Sequence, residues 1–279
     1  MNRVLDTPPV EPVDRPQPDP AAAAAARPKG ATPAPEIPPR PSPATGRLRS
    51  RRWPYLFRAV LALLLIPGTV LAGAEIATPP VAGAPALVAA IDREHGSAPI
   101  PAEPSWRVSE ATVAAEDGTF YSNKGIDAPG VGRALWGWFT GVDEGGSTIT
   151  EQLAKVLYTG GRTGVTDRVA QVALALKLDG HFTKPAVLSM YLSAIYFGNG
   201  YYGVLAASEG YFGLSPDRLS WAQASLLAGL PQAPSRLDPL QHLALARQRQ
   251  SYVLDRLVAT GVLTRAQAAA AAAAPLDLR

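Results

Sequence analysis

Two stretches of the sequence decide the fold: EDGTFY at residues 116–121 and GGSTITEQLAK at residues 145–155. The first places two adjacent carboxylates, Glu116 and Asp117, directly after an apolar segment. The second is a glycine-rich turn that opens a segment carrying a lysine. A carboxylate can act as a general base, and a helix N-terminus approached through glycines can hold an anion. Together the two stretches indicate chemistry on a phosphate-bearing substrate.

The second stretch predicts the start of a helix. Thr148 and Glu151 have the spacing of a capping box, in which the Thr hydroxyl and the Glu carboxylate each satisfy a backbone amide. Residues 145–147 would then precede the helix, where free amides and the helix dipole attract phosphate. Lys155 lies one turn beyond Glu151 and shares a face with Gln152. The same residues also fit an ordinary capped helix with a Glu–Lys pair.

The first stretch supplies the candidate base. Glu116 ends the apolar segment at residues 111–115, so its carboxylate is expected to be partly shielded from water and to accept a proton near neutral pH. The alternative is an ordinary acid at a helix end with solvated oxygens. Asp117 is expected to orient a neighbouring group or to cap the turn at Gly118.

The N-terminal part predicts a cytoplasmic tail and a membrane anchor. Residues 1–52 are rich in Pro, Ala and Arg and have few large apolar side chains, a composition typical of disorder. Residues 59–74 are uncharged and mostly apolar, and the predicted transmembrane helix covers residues 53–75. Five arginines between Arg47 and Arg58 keep the N-terminus in the cytoplasm by the positive-inside rule and export the chain beyond the helix. A helix buried in a protein core is the alternative.

Charge and composition exclude several functions. Residues 1–52 hold nine basic and five acidic residues, which accounts for the net charge of +3, so nothing supports nucleic-acid binding. The chain has no cysteine, which excludes disulfides, thiol nucleophiles and thiolate zinc sites. Its three histidines have no partner at metal-ligand spacing, so no metal site is predicted.

The exported part is predicted to be mainly α-helical. Residues 76–105 are proline-rich and indicate a stalk, and residues 106–279 form the predicted domain, ending in an alanine-rich helix and an irregular C-terminus. Trp136, Trp138 and Phe139 fit either the core or contact with the membrane surface. Three apolar stripes at helical spacing support the assignment. They comprise Val165, Val169, Val172 and Leu176; Val187, Leu188, Tyr191, Leu192 and Ile195; and Leu243, Leu245, Tyr252, Leu254 and Leu257.

Read together, these segments resemble the peptidoglycan glycosyltransferase family, which includes monofunctional transglycosylases and the transglycosylase domains of class A penicillin-binding proteins. The resemblance runs from about residue 109 to residue 260, with five motifs in the family's order. They are EDGTFY with GID at residues 125–127, GSTITEQLAK at residues 146–155, residues 168–179, a fourth motif spread over residues 191–234 (YLSAIYFG, AA, YFG and LAGLPQAP), and Arg249 with Val253 and Leu254.

The resemblance implies a lysozyme-like helical fold on the outer face of the cytoplasmic membrane. It implies polymerisation of lipid II, with Glu116 taking the proton of the acceptor 4-hydroxyl and a lipid pyrophosphate leaving the growing glycan strand. Gln171 occupies the position of the second catalytic residue. The family also implies a divalent cation, Mg²⁺ or Mn²⁺, and cell-wall synthesis or division proteins as partners. Residues implied to bind substrate are Asp117, Phe120, Asn123, Gly146, Ser147, Thr148, Glu151, Gln152, Lys155 and Arg168.

The chain departs from the family pattern at five positions. Asn123 stands where the family has His, Glu151 where it has Gln, Ser193 where it has Asn, and Asp167 where it has Arg. The second catalytic glutamate of the family falls on Gln171, which cannot ionise. Two interpretations are open: the carboxylate has moved to Glu151, or the enzyme is weakened or inactive.

The sequence leaves three functions open. The first is the glycosyltransferase, which would be monofunctional because the motifs of a transpeptidase are not found. The second is a lysozyme-like hydrolase with Glu116 as the acid, which would need no pyrophosphate site. The third is an inactive member of the family that binds lipid-linked glycan or serves as a scaffold in cell-wall assembly.

Overall fold

The computed structural model describes residues 53–98, 100–101, 104, 106–127 and 147–279. Within these residues the regular structure is helical. The β-type pairing among them consists of one isolated antiparallel bridge between Tyr196 and Tyr202. The predicted mainly α class is therefore confirmed for the described part. The helices are α1 (Trp53–Ala77), α2 (Ala84–His95), α3 (Arg107–Glu116), α4 (Ile149–Thr159), α5 (Val165–His181), α6 (Lys184–Ala194), α7 (Val204–Phe212), α8 (Trp221–Gly229), α9 (Leu243–Ala259) and α10 (Arg265–Ala273), with short 3₁₀ turns at Pro216–Arg218 and Leu230–Gln232.

Local sequence signals set the helix ends. The predicted capping box at Thr148 and Glu151 starts α4, and equivalent boxes start α8 at Ser220 and α10 at Thr264. Such caps satisfy the first backbone amides of a helix, which have no partner within it. Gly160 ends α4 in the left-handed conformation, with φ of 58°, which a residue without a Cβ adopts at little cost.

Two groups of helices pack around separate cores. The larger core centres on α6, which is buried along its whole length from Val187 to Ala194 and packs against α2 and α4. The second core joins α3, α8, α9 and α10 through small and aliphatic side chains, among them Ala114, Ala228 and Leu257. Helix α3 ends where these two groups meet, and this end carries Glu116.

The second predicted stripe, on α6, is confirmed, and the other two are partly wrong. On α5, Val165 is 82% exposed, and the buried face is formed by Gln171, Leu174 and Leu178. On α9, Leu243, Leu245 and Tyr252 are 44%, 42% and 45% exposed. The first half of α9 instead turns short or polar side chains, such as Ala246 and Gln250, towards the core. Exposed apolar residues therefore occupy the N-terminal turn of both helices and, at Tyr252, the middle of α9.

The segments on either side of the predicted domain pack into it. Residues 76–105 are expected to form a stalk, yet Val81, Ala84 and Val88 are buried in the core around α6. At the other end, the expected irregular C-terminus also packs. Leu276 is 5% exposed, and its carbonyl oxygen accepts a hydrogen bond of 3.1 Å from Gln223 Nε2 on α8. These contacts extend the compact unit in both directions.

Helix α1 contains the residues predicted to cross the membrane. It packs beside α5, and Lys177 Nζ donates hydrogen bonds of 2.9 Å to the carbonyl oxygen and the hydroxyl of Thr78, just beyond the end of α1. In the described part of the chain, no helix is both long enough and apolar enough to span a bilayer. The side chains of residues 59–67, on which the predicted anchor mainly depends, lie outside the described residues.

Three other predictions also fall outside the described residues. They concern the tail at residues 1–52, the aromatic segment with Trp136, Trp138 and Phe139, and the substrate contact at Gly146.

Candidate active site

Glu116 lies between three helices and is held by two donors. Its Oε2 atom accepts a hydrogen bond of 2.8 Å from Gln152 Nε2 on α4. Its Oε1 atom accepts one of 3.1 Å from Arg249 Nη2 on α9. The two side chains of the Glu116–Arg249 pair are only 11% and 15% exposed, so water screens the pair weakly. The expected partly shielded carboxylate is present, and a guanidinium lies beside it.

Tyr191 binds the other end of the Gln152 amide. Its hydroxyl donates a hydrogen bond of 2.9 Å to Gln152 Oε1, which leaves the amide nitrogen of Gln152 to face Glu116. Tyr191 is 1% exposed, and burial raises the pKa of its hydroxyl well above the usual value, with the negative charge of Glu116 adding to the effect. The phenol therefore stays protonated and remains a donor.

Asp117 organises the loop that follows α3. It is buried, and its carboxylate accepts hydrogen bonds from Thr119 Oγ1 at 3.1 Å, Asn123 Nδ2 at 3.0 Å and the Ile149 amide at 3.2 Å. Burial raises the pKa of Asp117, and these hydrogen bonds partly offset the increase. Asp117 therefore orients its neighbours in the loop and at the start of α4.

Asn123 joins this loop to the start of α6. Its Oδ1 atom accepts hydrogen bonds from the Gly125 amide at 3.0 Å and from Lys184 Nζ at 2.8 Å. Lys184 also pairs with Asp179 at 2.6 Å. The Asn123 side chain thus has protein partners on both its oxygen and its nitrogen, so its position in the structure is that of a loop support.

Phe120 lies beneath the same loop and has no exposed surface. The Lys184 ammonium sits 4.8 Å from the centre of its ring. A side chain without exposed surface cannot meet a ligand in this conformation, so the structure gives Phe120 a packing role in place of the implied substrate contact.

The start of α4 differs from the predicted phosphate cradle. The amide of Thr148 donates to Glu151 Oε2 at 2.8 Å, the amide of Glu151 donates to Thr148 Oγ1 at 3.0 Å, and the amide of Ile149 donates to Asp117. These amides are therefore already engaged, and two carboxylates of the protein complement the helix dipole. The expectation of free amides at this helix start is wrong at these three residues.

The position of Glu151 at the start of α4 changes the pKa of its carboxyl. Burial raises the pKa of its carboxyl, and the nearby charge of Asp117 adds to the effect, while hydrogen bonds from Thr148 and the charge of Arg168 oppose it. Because Glu151 is committed to the cap of α4, the structure supports the helix-capping interpretation and gives no indication that it replaces the second glutamate of the family.

Gln171 lies towards the opposite end of α4 from Glu116. Its Nε2 atom donates hydrogen bonds of 2.8 Å to Thr159 Oγ1 and to the Arg162 carbonyl oxygen. Gln152 and Thr159 are seven residues apart on α4, about 10 Å along the helix axis. The structure therefore places Gln171 as a clamp on the α4–α5 connection and does not bring it into contact with Glu116.

Of the remaining described candidates, Ser147 and Thr148 precede the first residue of α4, Lys155 lies on α4 and Arg168 lies on α5. Ser147 and Arg168 are exposed, whereas Lys155 is half-buried. Lys155 follows Gln152 by one turn, so its ammonium shares a side of α4 with the group that holds Glu116. Thr148 is buried, and its hydroxyl donates a hydrogen bond of 2.6 Å to the Gly125 carbonyl oxygen, which anchors the loop after α3.

The donor set does not fit the divalent cation implied by the family. Among the described residues, no group of three or more His, Asp or Glu side chains could hold a metal ion. Glu116 already faces a guanidinium, and the position of the second family glutamate carries an amide at Gln171.

Three residues of the site are not among the predicted site residues. Tyr191 and Arg249 belong to the fourth and fifth motifs without a predicted role, and Lys184 belongs to none of the motifs. Arg249 lies 133 positions from Glu116, so no local pattern links the two. The close packing of Gly229 is a signal of this arrangement: a Cβ there would lie 2.9 Å from Arg249 Cγ, so the glycine makes room for the arginine stem.

Comparison with known proteins identifies the family of the chain. The family model described as Transglycosylase matches residues 86–258. A Cupriavidus necator protein whose name assigns it to the transglycosylases is 39% identical over 170 residues, which cover 61% of this chain and 74% of that protein. Penicillin-binding protein 1A of Neisseria flavescens is 37% identical over 162 residues, which cover 57% of this chain.

The chain spans only 20% of the length of that penicillin-binding protein. A crystal structure of penicillin-binding protein 1A from Haemophilus influenzae is 34% identical over a match that covers 34% of this chain and 14% of the other, with a TM-score of 0.34. The family assignment therefore depends on the sequence matches, and these cover more than half of the chain. The chain belongs to the transglycosylase family and is related to the transglycosylase domains of class A penicillin-binding proteins.

Proposed function

We propose that this protein is a peptidoglycan glycosyltransferase that joins lipid II units into glycan strands with release of a lipid pyrophosphate. The observation that carries the proposal is the placement of the Glu116 carboxylate at the junction of α3, α4 and α9, where Gln152 and Arg249 hold its two oxygens. Family membership supports the reaction class.

Glu116 is the general base in this proposal. It takes the proton from the acceptor 4-hydroxyl, and the resulting oxygen nucleophile attacks the anomeric carbon of the donor sugar. The bond from that carbon to the lipid pyrophosphate breaks with inversion. A base needs a fixed position near its proton more than a large change in basicity. The two donors supply this fixed position, because each oxygen of the carboxylate is directed by a different helix.

The leaving pyrophosphate is held by side chains in this proposal. Lys155 on α4 and Arg168 on α5 provide positive charge, and Ser147 provides a hydroxyl at the start of α4. Preorganised donors of this kind stabilise charge that develops in the transition state. The engaged amides of Thr148, Ile149 and Glu151 are not part of the pyrophosphate site, which distinguishes it from a helix N-terminal anion site.

The proposed location is the outer face of the cytoplasmic membrane, with α1 as the single anchor and the N-terminus in the cytoplasm. The arginines that precede α1 support this orientation. Lipid II, the growing strand and the membrane are the proposed partners.

A lipid II polymerisation assay with the full chain tests the proposal. Glu116→Gln keeps the size of the side chain and its contact with Arg249 but removes the basicity, so polymer formation should fall by about 100-fold or more. Glu110→Gln, an exposed change on the same helix, is the matched control and should leave activity unchanged. Polymer formation by Glu116→Gln at the wild-type rate would rule out the assigned base.

A second candidate function is favoured by Gln171. Its amide cannot ionise, and both of its donated hydrogen bonds serve the α4–α5 connection. In this second function the chain would bind lipid-linked glycan without turnover. Retention of a lipid II analogue by the wild-type protein, without polymer under any condition, would support this function over the first.

A further inference from the structure

Helix α9 contacts the end of α3 through a second arginine, Arg256. It lies two turns beyond Arg249, and its Nε atom donates a hydrogen bond of 3.2 Å to the Ala114 carbonyl oxygen. Ala114 belongs to the last turn of α3, whose final carbonyl groups have no partner within the helix. Arg256 therefore satisfies one of these groups and places positive charge at the negative end of the helix dipole.

The Arg256 guanidinium also lies against the turn that follows Glu116. A Cβ atom added at Gly118 would lie 3.0 Å from Arg256 Nη2. Apart from the chain neighbours of Gly118, no other atom of the described residues lies within 4 Å of that point. Ala114 precedes Glu116 by two residues, and Gly118 follows it by two. Arg256 is therefore close to the backbone on both sides of the residue that carries the proposed base.

The contacts of Arg256 differ in kind from those already described for Glu116. The hydrogen bonds of Gln152 and Arg249 direct the two carboxylate oxygens, whereas the hydrogen bond of Arg256 acts on the backbone of the helix that carries them. Helices α3 and α9 also share one core of small and aliphatic side chains, which keeps the arginine close to this backbone.

We propose that Arg256 is a positioning residue for the glycosyltransferase reaction, because it fixes the last turn of α3 and with it the place where Glu116 meets the acceptor hydroxyl. The inference rests on the proposed function, in which Glu116 is the base. Proton transfer requires a defined geometry, and a displacement of about 1 Å can lower a rate by about 100-fold. A small movement of the end of α3 is therefore enough to slow the reaction.

Steady-state kinetics of lipid II polymerisation by the full chain test the proposal. Arg256→Met keeps part of the aliphatic stem and removes the donor and the charge. It should lower kcat by about 10-fold and change KM by less than about 2-fold, because it moves the base and leaves substrate binding intact. Arg256→Lys keeps a charge and a donor, so it should recover at least about half of the wild-type kcat.

The matched control is Arg247→Met on the same helix. Arg247 donates hydrogen bonds of 3.1 Å to the carbonyl oxygens of Ala272 and Ala274, so it makes the same kind of contact with the end of α10. Arg247→Met should change Tm by about as much as Arg256→Met does and leave kcat within about 2-fold of wild type. An equal loss of kcat in the two variants would show that general destabilisation, and not the position of Glu116, is the cause.

Gly118→Ala tests the same contact from the other side. Its methyl group would displace the guanidinium, so kcat should fall by about 3-fold in the wild-type background. The shorter side chain of Arg256→Met does not reach the added methyl group, so Gly118→Ala should have no further effect in that background. Independent, multiplicative effects of the two changes would contradict a shared contact.

Amide hydrogen exchange measures the position of the α3 end without turnover. The Asp117 amide donates to the Val113 carbonyl oxygen at 3.0 Å, and the Phe120 amide donates to the Asp117 carbonyl oxygen at 2.9 Å. Both amides should exchange at least about 5-fold faster in Arg256→Met and at the wild-type rate in Arg247→Met.

The outcomes separate this inference from the proposed function. An unchanged kcat or unchanged exchange in Arg256→Met would each overturn the inference. If the wild-type chain fails to polymerise lipid II while the predicted exchange pattern holds, the proposed function fails, and the role of Arg256 in fixing the end of α3 stands.

Discussion

Two hydrogen-bond donors hold the Glu116 carboxylate in one orientation. Gln152 and Arg249 each bind one oxygen, and the Tyr191 hydroxyl donates to the Gln152 amide oxygen. If the amide turned, its oxygen would face the carboxylate and the two acceptors would repel each other. Because an ionised carboxylate can only accept, Glu116 determines which end of the amide it meets, and Tyr191 supplies a donor for the other end.

At the scale of single residues, Glu151→Gln tests how much the Glu151 carboxylate at the start of α4 lowers the stability of the fold. Glutamine also completes a capping box, so the helix should be preserved. Since burial raises the folded-state pKa of Glu151 above its ordinary value of 4.5, the wild-type protein loses stability as pH rises through the interval from 4.5 to the raised pKa. The variant does not titrate there, and its Tm at pH 7 should be higher by about 1–3 °C.

Thermal unfolding of both proteins between pH 4 and pH 7 measures this difference. The gain should shrink as pH falls towards 4.5, because the wild-type carboxyl then becomes neutral. A difference in Tm that stays constant over the whole range would show that the charge of Glu151 is not its cause.

At the scale of elements, α4 carries contacts of two kinds. Its first half supports the loop after α3 and presents Gln152 to Glu116, whereas its end is held by Gln171 through Thr159 and Arg162. Restoring the glutamate of the family at position 171 would replace a donor by an acceptor. The carboxylate would then face the Arg162 carbonyl oxygen without a hydrogen between them.

We therefore expect Gln171→Glu to destabilise the fold by about 1–3 kcal/mol and not to raise polymer formation. Denaturant unfolding and the polymerisation assay, run on the same preparation, measure both quantities. Gln171→Met, which removes the donor without adding charge, is the matched control and should be destabilised less. A rise in activity for Gln171→Glu would show instead that the lost carboxylate limits catalysis.

Elements with a local signal could be predicted from the sequence, and elements that depend on distant neighbours could not. The α4 cap and the α6 stripe follow from residues within one or two turns. The apolar stripe predicted for α5 is partly wrong because Gln171 is buried and Val165 is exposed. Which face of α5 is buried depends on where α4 packs. Likewise, Glu116 and Gln152 stood out as parts of motifs, but their link to Arg249 and Tyr191 requires helices brought together by the fold.

At the scale of the whole molecule, the last residues close the fold over α7 and α8. Leu276 is buried in the larger core, and the Arg279 amide donates a hydrogen bond of 3.0 Å to the Tyr211 carbonyl oxygen. The C-terminal segment therefore contributes to the stability of helices that precede it by about fifty residues or more.

Leu276→Ala should accordingly lower the free energy of unfolding by about 2–4 kcal/mol, because it leaves a cavity in a packed core. Leu240→Ala, at a position that is 44% exposed, is the control and should cost less than about 1 kcal/mol. Denaturant unfolding measures both changes. Equal small losses for the two variants would mean that the C-terminal segment contributes little to stability.

The hydrogen bonds from Lys177 to Thr78 connect the end of α1 to the last turns of α5. This ammonium limits how far the rest of the molecule can swivel about α1. If α1 anchors the chain, its packing against α5 and this lysine would together restrain the tilt of the proposed active site above the bilayer. Lipid-linked donor and acceptor would then reach the base at a fixed height, and the strand would leave in a constant direction.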